Sequence, residues 1–556
     1  MTGAIVEWPS LYSIPGSTPS HLGGRAVVGG RGMVVTPQPL AAEAGIAALR
    51  TGGNAVDAAI AASAVLMVTA PMQCGPGGDA VWLVQPADGR TVAVNATGRS
   101  GTSLDPERAQ AAEARDGDRG GWTVTVPGAV AGWVDVLERF GTMPLGELLQ
   151  PAIDVAERGF FVSRYLHAAI CVAEPVLRRS AEGQAWFLPD GAAPPVHSRL
   201  RQPELARCLR LLVDTSGRAL YDGEIATAIT AALADTDGFL DEDDLAVHAT
   251  RWEEPLSLEL DGLTLLQAPP NSQGVVALEA LALTAACLGK PYPDLGRVDD
   301  LHVLVEALRA ALADRDAVVA DPDVTGDAAA RLVDAGYIAE RGAALDPARA
   351  RATWPAGVGR ASSSAASREG DTVNLVAIDE SGLAVSLTQS LFYDFGSGVP
   401  VPGFGFMLQN RGACFSFDGE ARNAIAPGRR PLHTLMPGIA VAAGRARHVF
   451  GCMGGHGQAQ TQAQLLSRVV AGGDDPQEAI GAPRFFVDPT ATEPAVSVES
   501  RMPVALREGL AANGFTVETL GKWEDIMGHA QFISVEPSGA FVGGCDPRTD
   551  GHIAAW

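Results

Sequence analysis

Apolar residues recur at helical spacing from Pro39 to Arg50 and stop at Gly52-Gly53, a helix-ending pair, so the first predicted element is a helix. Asn54 is placed to cap a second helix, Ala55 to Thr69, which is apolar nearly all round and halts before Pro71. A helix without a polar face belongs inside a fold. The most apolar stretch of the chain, Ala58 to Ala70, is too short to span a bilayer. The turn Cys74-Gly75-Pro76-Gly77-Gly78-Asp79 then leads into a strand over Ala80 to Val84. From Pro127 to Ala350, helical patterns (Ala129 to Phe140, Leu145 to Arg158, Asp300 to Arg315) alternate with Pro/Gly connections, and this part reads as mostly helical.

The pattern changes at Ala361. Ala361 to Glu369 is small, polar and linker-like, and after Glu369-Gly370-Asp371 a β-like run opens at Thr372 and continues to Ile378. Asp379-Glu380-Ser381-Gly382 separates it from a second β-like run, Leu383 to Leu391, as a hairpin loop would. Antiparallel pairing puts Thr372 and Ser390 at the same end of neighbouring strands, with the register open. Farther on, His448-Val449-Phe450 leads into Gly451-Cys452-Met453-Gly454-Gly455 and a helix near Gln458 to Val470. Strands are predicted around Gln531 to Val535 and His552 to Trp556.

With 556 residues, 47% of them hydrophobic, the chain can bury a large core. A net charge of -24 argues against nucleic-acid or anionic-membrane partners. The cysteines, Cys74, Cys171, Cys208, Cys287, Cys414, Cys452 and Cys545, are odd in number, scattered and without metal spacing, which fits free thiols in a reducing compartment. The N-terminus has neither a basic nor an apolar signal region, and a cytoplasmic protein is expected. His456, His529 and His552 adjoin glycines without zinc spacing, so neither a metal nor a cofactor is expected.

Thr372 carries the chemistry of interest. A threonine that opens a strand is ordinarily a plain β-former. If the Asp371-Thr372 bond breaks, however, the free α-amine, with a reference pKa of about 7.7 to 8.0, can take the proton from Oγ. Ser390 can hydrogen-bond and orient that hydroxyl, although strand serines commonly do nothing of the kind. Gly454-Gly455 lies in a strand-to-helix turn, where backbone N–H groups can reach a developing oxyanion; two glycines that merely shape a turn are the alternative.

The chain resembles the γ-glutamyltransferase family of N-terminal-nucleophile enzymes along nearly its whole length. The resemblance is carried by Gly52-Gly53-Asn54-Ala55-Val56-Asp57-Ala58-Ala59, Val126-Pro127-Gly128, Ala131-Gly132-Trp133, Gln150-Pro151-Ala152 and Pro269-Pro270-Asn271-Ser272-Gln273-Gly274. Glu306 to Arg315, Phe395-Gly396-Ser397-Gly398, Gly454-Gly455, Ala482-Pro483-Arg484 and Asp546-Pro547-Arg548 complete it. It implies a four-layer αββα fold from one precursor, cut between Asp371 and Thr372 into a large subunit, 1–371, and a small one, 372–556, that together form one compact unit. It assigns Thr372 as nucleophile, Ser390 as the orienting hydroxyl and Gly454 and Gly455 as oxyanion donors. The implied activity is amide cleavage through a threonyl acyl-enzyme, with water or an amine as acceptor. A homodimer of the two-subunit unit stays open.

Departures from the family pattern bear on the substrate. Phe392, Arg411 and Cys414 stand where residues that hold a substrate ammonium are usual in the family. Arg411 would repel an ammonium and bind a carboxylate, which suits a glutaryl-like acyl group. Arg99 is a displaced candidate carboxylate ligand, and His433-Thr434 replaces a serine pair, with a structural role the other reading of His433. The departures resemble the branch holding the γ-glutamyltransferase-like cephalosporin acylases. The rival expectations are a conventional glutathione hydrolase, a biosynthetic tailoring enzyme using the same threonine, and a processing-dead binding scaffold.

Overall fold

The computed structural model describes residues 24–359 and 370–556. The linker-like run Ala361 to Glu369 lies outside the described residues. Two seven-stranded sheets form the centre of the molecule. In one, the strand Asp371–Asp379 pairs antiparallel with Ala384–Phe392 on one side and Gly32–Thr36 on the other. Beyond Ala384–Phe392 this sheet continues through Asp79–Gln85, Val92–Ala96 and Arg251–Glu253, and beyond Gly32–Thr36 it ends at His552–Ala555. The other sheet runs in the order Val27–Gly29, Phe541–Cys545, Ala530–Val535, Arg445–Cys452, Gly438–Ala442, Leu263–Gln267, Leu256–Leu260.

Three apolar clusters define the layers. Met33, Val35, Val376 and Ile378 of the first sheet meet Ile439, Val449 and Ile533 of the second, so the sheets pack face to face. Val373, Leu375 and Ala377 point the other way, into the cluster of helices Pro39–Arg50 and Ala55–Thr69. Helices Val275–Leu288, Val298–Val318 and Gln458–Leu466 cover the outer face of the second sheet. This is the expected four-layer αββα fold.

The helix Ala55–Thr69 is buried along its whole length. Asn54 caps it in a reciprocal box with Asp57, an arrangement worth about 1 kcal/mol. A second carboxylate, Asp379 at the end of the Thr372 strand, accepts from the Ala55 N–H at 2.9 Å and ties that strand to the helix. The expectation of a mostly helical middle holds only in part, because Leu256–Leu260 and Leu263–Gln267 form a hairpin that edges the second sheet. Its two-residue turn, Asp261-Gly262, has φ of 53° and 77°. An Asp-Gly pair between alternating apolar runs is a strong local hairpin signal, which the mostly helical reading of this part passed over.

Alternation along the hairpin sorts side chains by face. Thr372, Asn374, Ser386, Thr388 and Ser390 fall on the parity that faces the second sheet and form a buried polar strip beside the apolar intersheet contacts. Asn374 Nδ2 donates to Thr388 Oγ1 and the Leu387 carbonyl, both at 3.0 Å, and Ser386 Oγ donates to the Phe450 carbonyl at 2.8 Å. The strip is thus hydrogen-bonded across the sheets, and Thr372 and Ser390 stand at its end.

Candidate active site

The register of the hairpin slips where Thr372 and Ser390 meet. Asp371 pairs with Phe392 and Val373 with Gln389, so Ser390 and Leu391 together oppose Thr372. This bulge turns the two hydroxyls toward one another. Thr372 Oγ1 donates to Ser390 Oγ at 3.2 Å, and Ser390 Oγ donates to the carbonyl oxygen of Asp371 at 2.5 Å. Ser390 Oγ also accepts from the Phe392 N–H at 2.6 Å. The serine therefore touches the hydroxyl expected to attack and the carbonyl expected to be attacked.

The loop that follows the buried helix Ala55–Thr69 holds the Asp371 side chain and the strand beside it. The Leu391 N–H donates to the Gln73 carbonyl at 2.8 Å, and Gln73 Nε2 donates to Asp371 Oδ1 at 2.5 Å and to the Tyr165 hydroxyl at 2.8 Å. The Thr372 N–H donates to the same Asp371 Oδ1 at 2.9 Å. Burial pushes the Asp394 carboxyl well above the usual range, and the Asp371 charge pushes it further.

Opposite lies the diglycine turn, which connects the strand Arg445–Cys452 to the helix Gln458–Leu466. Gly454 and Gly455 have φ of 131° and 50°, values that other residues adopt at a cost. No described residue accepts a hydrogen bond from either N–H. Gly370 lies against this turn so closely that a Cβ on it would be 2.8 Å from Gly455 Cα. The segment before Thr372 therefore rests on the turn expected to hold the oxyanion.

Phe392, Arg411, Thr434 and Cys414 form a second group beside the hydroxyl pair. Phe392 has φ of 81°, strained for a bulky residue, and its N–H bond to Ser390 helps hold that conformation. Its ring lies 4.0 Å from the Arg411 guanidinium carbon. Arg411 is 1% exposed. Its Nη1 donates to Thr434 Oγ1 at 2.9 Å and lies 4.0 Å from Cys414 Sγ, whereas Nε and Nη2 have no partner among the described residues. Burial lowers its pKa, with Cys414 and Asp79 opposing the shift, and burial raises the Cys414 thiol while Arg411 opposes that.

His433 and Arg99 are committed elsewhere. His433 Nδ1 accepts from the Leu435 N–H at 3.4 Å, which puts the proton on Nε2, 3.1 Å from Asp79 Oδ2. Burial and then Arg411 hold the ring neutral. Burial raises the Asp79 carboxyl to about 7 despite Arg411 and the N–H groups of Gly128 and Gly98. Both ring nitrogens of His433 are thus engaged within the protein. Arg99, its side chain 38% exposed, pairs with Asp321 at 3.3 Å and Asp323 at 2.9 Å and donates to the Gly428 carbonyl at 2.8 Å. None of these partners belongs to the group around Thr372.

The sequence reading missed the frame that joins the two groups. Gln273 Nε2 donates to the carbonyls of Gly455 at 2.8 Å and Thr434 at 3.1 Å, and its Oε1 accepts from Arg315 Nη1 at 2.9 Å. Both residues sit in segments that carry the family resemblance, which was the available signal. Gln73, in the loop before Gly75, had no comparable one.

Known proteins resemble the chain over nearly its whole length. The model of the γ-glutamyltranspeptidase family matches residues 41–556. The glutathione hydrolase-like YwrD proenzyme of Bacillus subtilis is 36% identical over 95% of the chain and 99% of that protein. The oxamate amidohydrolase proenzyme of Klebsiella pneumoniae is 35% identical over 94% and 98%. The crystal structure of cephalosporin acylase from Bacillus halodurans superimposes with a TM-score of 0.89 at 34% identity, covering 98% of this chain and 99% of that one. The chain belongs to the γ-glutamyltranspeptidase family, an enzyme family whose members named here are a hydrolase, an amidohydrolase and an acylase.

Proposed function

We propose that the chain cuts itself before Thr372 and that the freed threonine cleaves amides whose acyl group ends in a carboxylate. The observation that carries this reading is the Ser390 hydroxyl, bonded at once to Thr372 Oγ1 and to the Asp371 carbonyl. In the first reaction, Thr372 Oγ attacks the Asp371 carbonyl carbon. The oxyanion forms where Ser390 already donates, the C–N bond breaks as the Oγ proton passes to nitrogen, and an ester remains. Water hydrolyses the ester, leaving a carboxylate on Asp371 and a free amine on Thr372. In the second reaction that amine takes the Oγ proton as the oxygen attacks a substrate amide, and the Gly454 and Gly455 N–H groups face the oxyanion. The proton then goes to the leaving amine. Water releases the acyl group as an acid, and an amine acceptor takes it by transfer.

Arg411 supports the acyl preference. A buried guanidinium with Nε and Nη2 unpaired is a costly arrangement that a ligand carboxylate relieves through a two-pronged contact. Oxamate, named in one relative, carries a carboxylate and no α-ammonium, as a glutaryl group does. The seven free thiols support the cytoplasmic expectation. The test is N-terminal sequencing of the small fragment, expected to begin Thr-Val-Asn-Leu, followed by turnover of glutaryl, γ-glutamyl and butyryl anilides. A single chain of 57.5 kDa that stays intact on incubation refutes the self-cutting step. A preference for γ-glutamyl over glutaryl anilide refutes the acyl reading and returns the protein to a conventional glutathione hydrolase.

A further inference from the structure

His456 follows the diglycine turn directly and is 2% exposed. Its Nδ1 lies 2.8 Å from Arg315 Nη1. Arginine can only donate, so Nδ1 is the acceptor and the ring proton sits on Nε2. That N–H has no partner among the described residues. A buried ring donor left unpaired costs about 1–3 kcal/mol, and its tautomer here is enforced from behind by a guanidinium.

The same frame presents the unpaired side of Arg411. Arg411 Nη1 holds Thr434, the Thr434 carbonyl accepts from Gln273, and Gln273 in turn holds the Gly455 carbonyl and Arg315, which fixes His456. The His456 ring and the Cys414 thiol each lie in the field of both Arg411 and Arg315. Three buried donors on this frame are thus unspent: Nε and Nη2 of Arg411 and Nε2 of His456. Carboxylate oxygens accept several such bonds, and a neutral imidazole adds a donor without adding a second charge.

We propose that His456 is a second ligand for the substrate carboxylate, its Nε2–H completing with the Arg411 fork a site beside the Gly454-Gly455 turn. This rests on the carboxylate reading above. Burial, followed by Arg315 and Arg411, keeps the ring neutral. Arg315 and Gln273 are positioning residues, holding the imidazole and the turn in one geometry.

The experiment measures, on self-processed enzyme, the ratio of kcat/KM for glutaryl over butyryl anilide in wild type, His456→Ala, His456→Gln and Arg411→Met. A lost hydrogen bond to a charged group predicts a fall in that ratio of about ten- to a hundredfold in His456→Ala. The fall should lie mostly in KM, with part of the ratio recovered in His456→Gln, whose amide still donates. If Arg411→Met collapses the ratio and His456→Ala leaves it intact, the second-ligand proposal is overturned while the carboxylate reading stands. A wild-type ratio near one overturns both. Because His456→Ala also unseats Arg315 and can fail to fold, a crystal of processed wild-type enzyme soaked in glutarate provides an independent test. A carboxylate bonded to Arg411 and His456 Nε2 supports the proposal. One bonded to Arg411 alone overturns it, and glutarate absent from both overturns the carboxylate reading.

Discussion

Replacing Ser390 with alanine removes three hydrogen bonds through one atom, and two have separable consequences. The bond to the Asp371 carbonyl, at 2.5 Å, points at the oxygen that gains charge during self-cleavage. Losing one donor of this kind typically costs about 2.7–4 kcal/mol of activation free energy, or about 10²–10³ in rate. The bond from the Phe392 N–H, at 2.6 Å, satisfies a buried backbone donor on a residue with φ of 81°. Leaving it unpaired costs about 1–3 kcal/mol of folding stability. Ser390→Ala should therefore fold, melt a few degrees below wild type, and accumulate as precursor. The assay is a time course on denaturing gels of freshly purified protein at 25 °C, fitted to the disappearance of the 57.5 kDa chain, with intact mass confirming the cut position. Cleavage at the wild-type rate in a folded Ser390→Ala protein would refute the assignment of Ser390 to the reacting carbonyl. Slow cleavage with an unchanged melting temperature would refute the role given to the Phe392 N–H.

Thr372→Ala should abolish both the cut and the activity, while Thr372→Ser should keep both at reduced rates; a cleaved Thr372→Ala protein, seen on the same gels, would remove the nucleophile. Arg411→Met should melt no lower than wild type, because the buried cation leaves two donor atoms unpaired; calorimetry of both processed proteins checks this. Acid sensitivity should trace in part to Asp546, where burial acts to raise the carboxyl but Arg484 and Arg548 overcome it and hold the pKa well below the usual range. A depressed folded pKa gives stability that is complete above about pH 4 and lost as pH falls toward the folded value. Asp546→Asn should accordingly flatten the fall in melting temperature below about pH 4, as measured by scanning fluorimetry from pH 7 to 3.

What the sequence made legible was local. Pro39–Arg50 and Ala55–Thr69 end where their Gly-Gly and proline stops fall, and the Thr372 hairpin turns at Asp379-Glu380-Ser381-Gly382 as expected. The Leu256–Leu260 and Leu263–Gln267 strands carried an equally local signal, but only the sheet they join shows why they are not helical. At the site, Thr372 and Ser390 could be paired from the hairpin, whereas the bulge where they touch is bonded to a distant segment, the Leu391 N–H donating to the Gln73 carbonyl. Gln273, Arg315 and His456 were beyond reach for a different reason. Their roles arise from hydrogen bonds between segments that are more than 40 residues apart, and spacing along the chain carries no trace of them. Arg99 shows the reverse case, a residue whose type fits the chemistry but whose charge is used by Asp321 and Asp323.

The strand Asp371–Asp379 is flanked on one side by Gly32–Thr36 and, through Ala384–Phe392, on the other by Asp79–Gln85. A break before Thr372 would thus leave the first two strands of the small piece threaded between strands of the large one. The halves could separate only by tearing this sheet along those two seams and along a third, between Gly32–Thr36 and His552–Ala555. Assembly would then run in one direction: the uncut chain folds by intramolecular search, but the cut protein, once melted, must find its other half in solution. Its durability would be a matter of unfolding rate rather than of equilibrium, and heating past the transition should erase a state that only fresh synthesis restores.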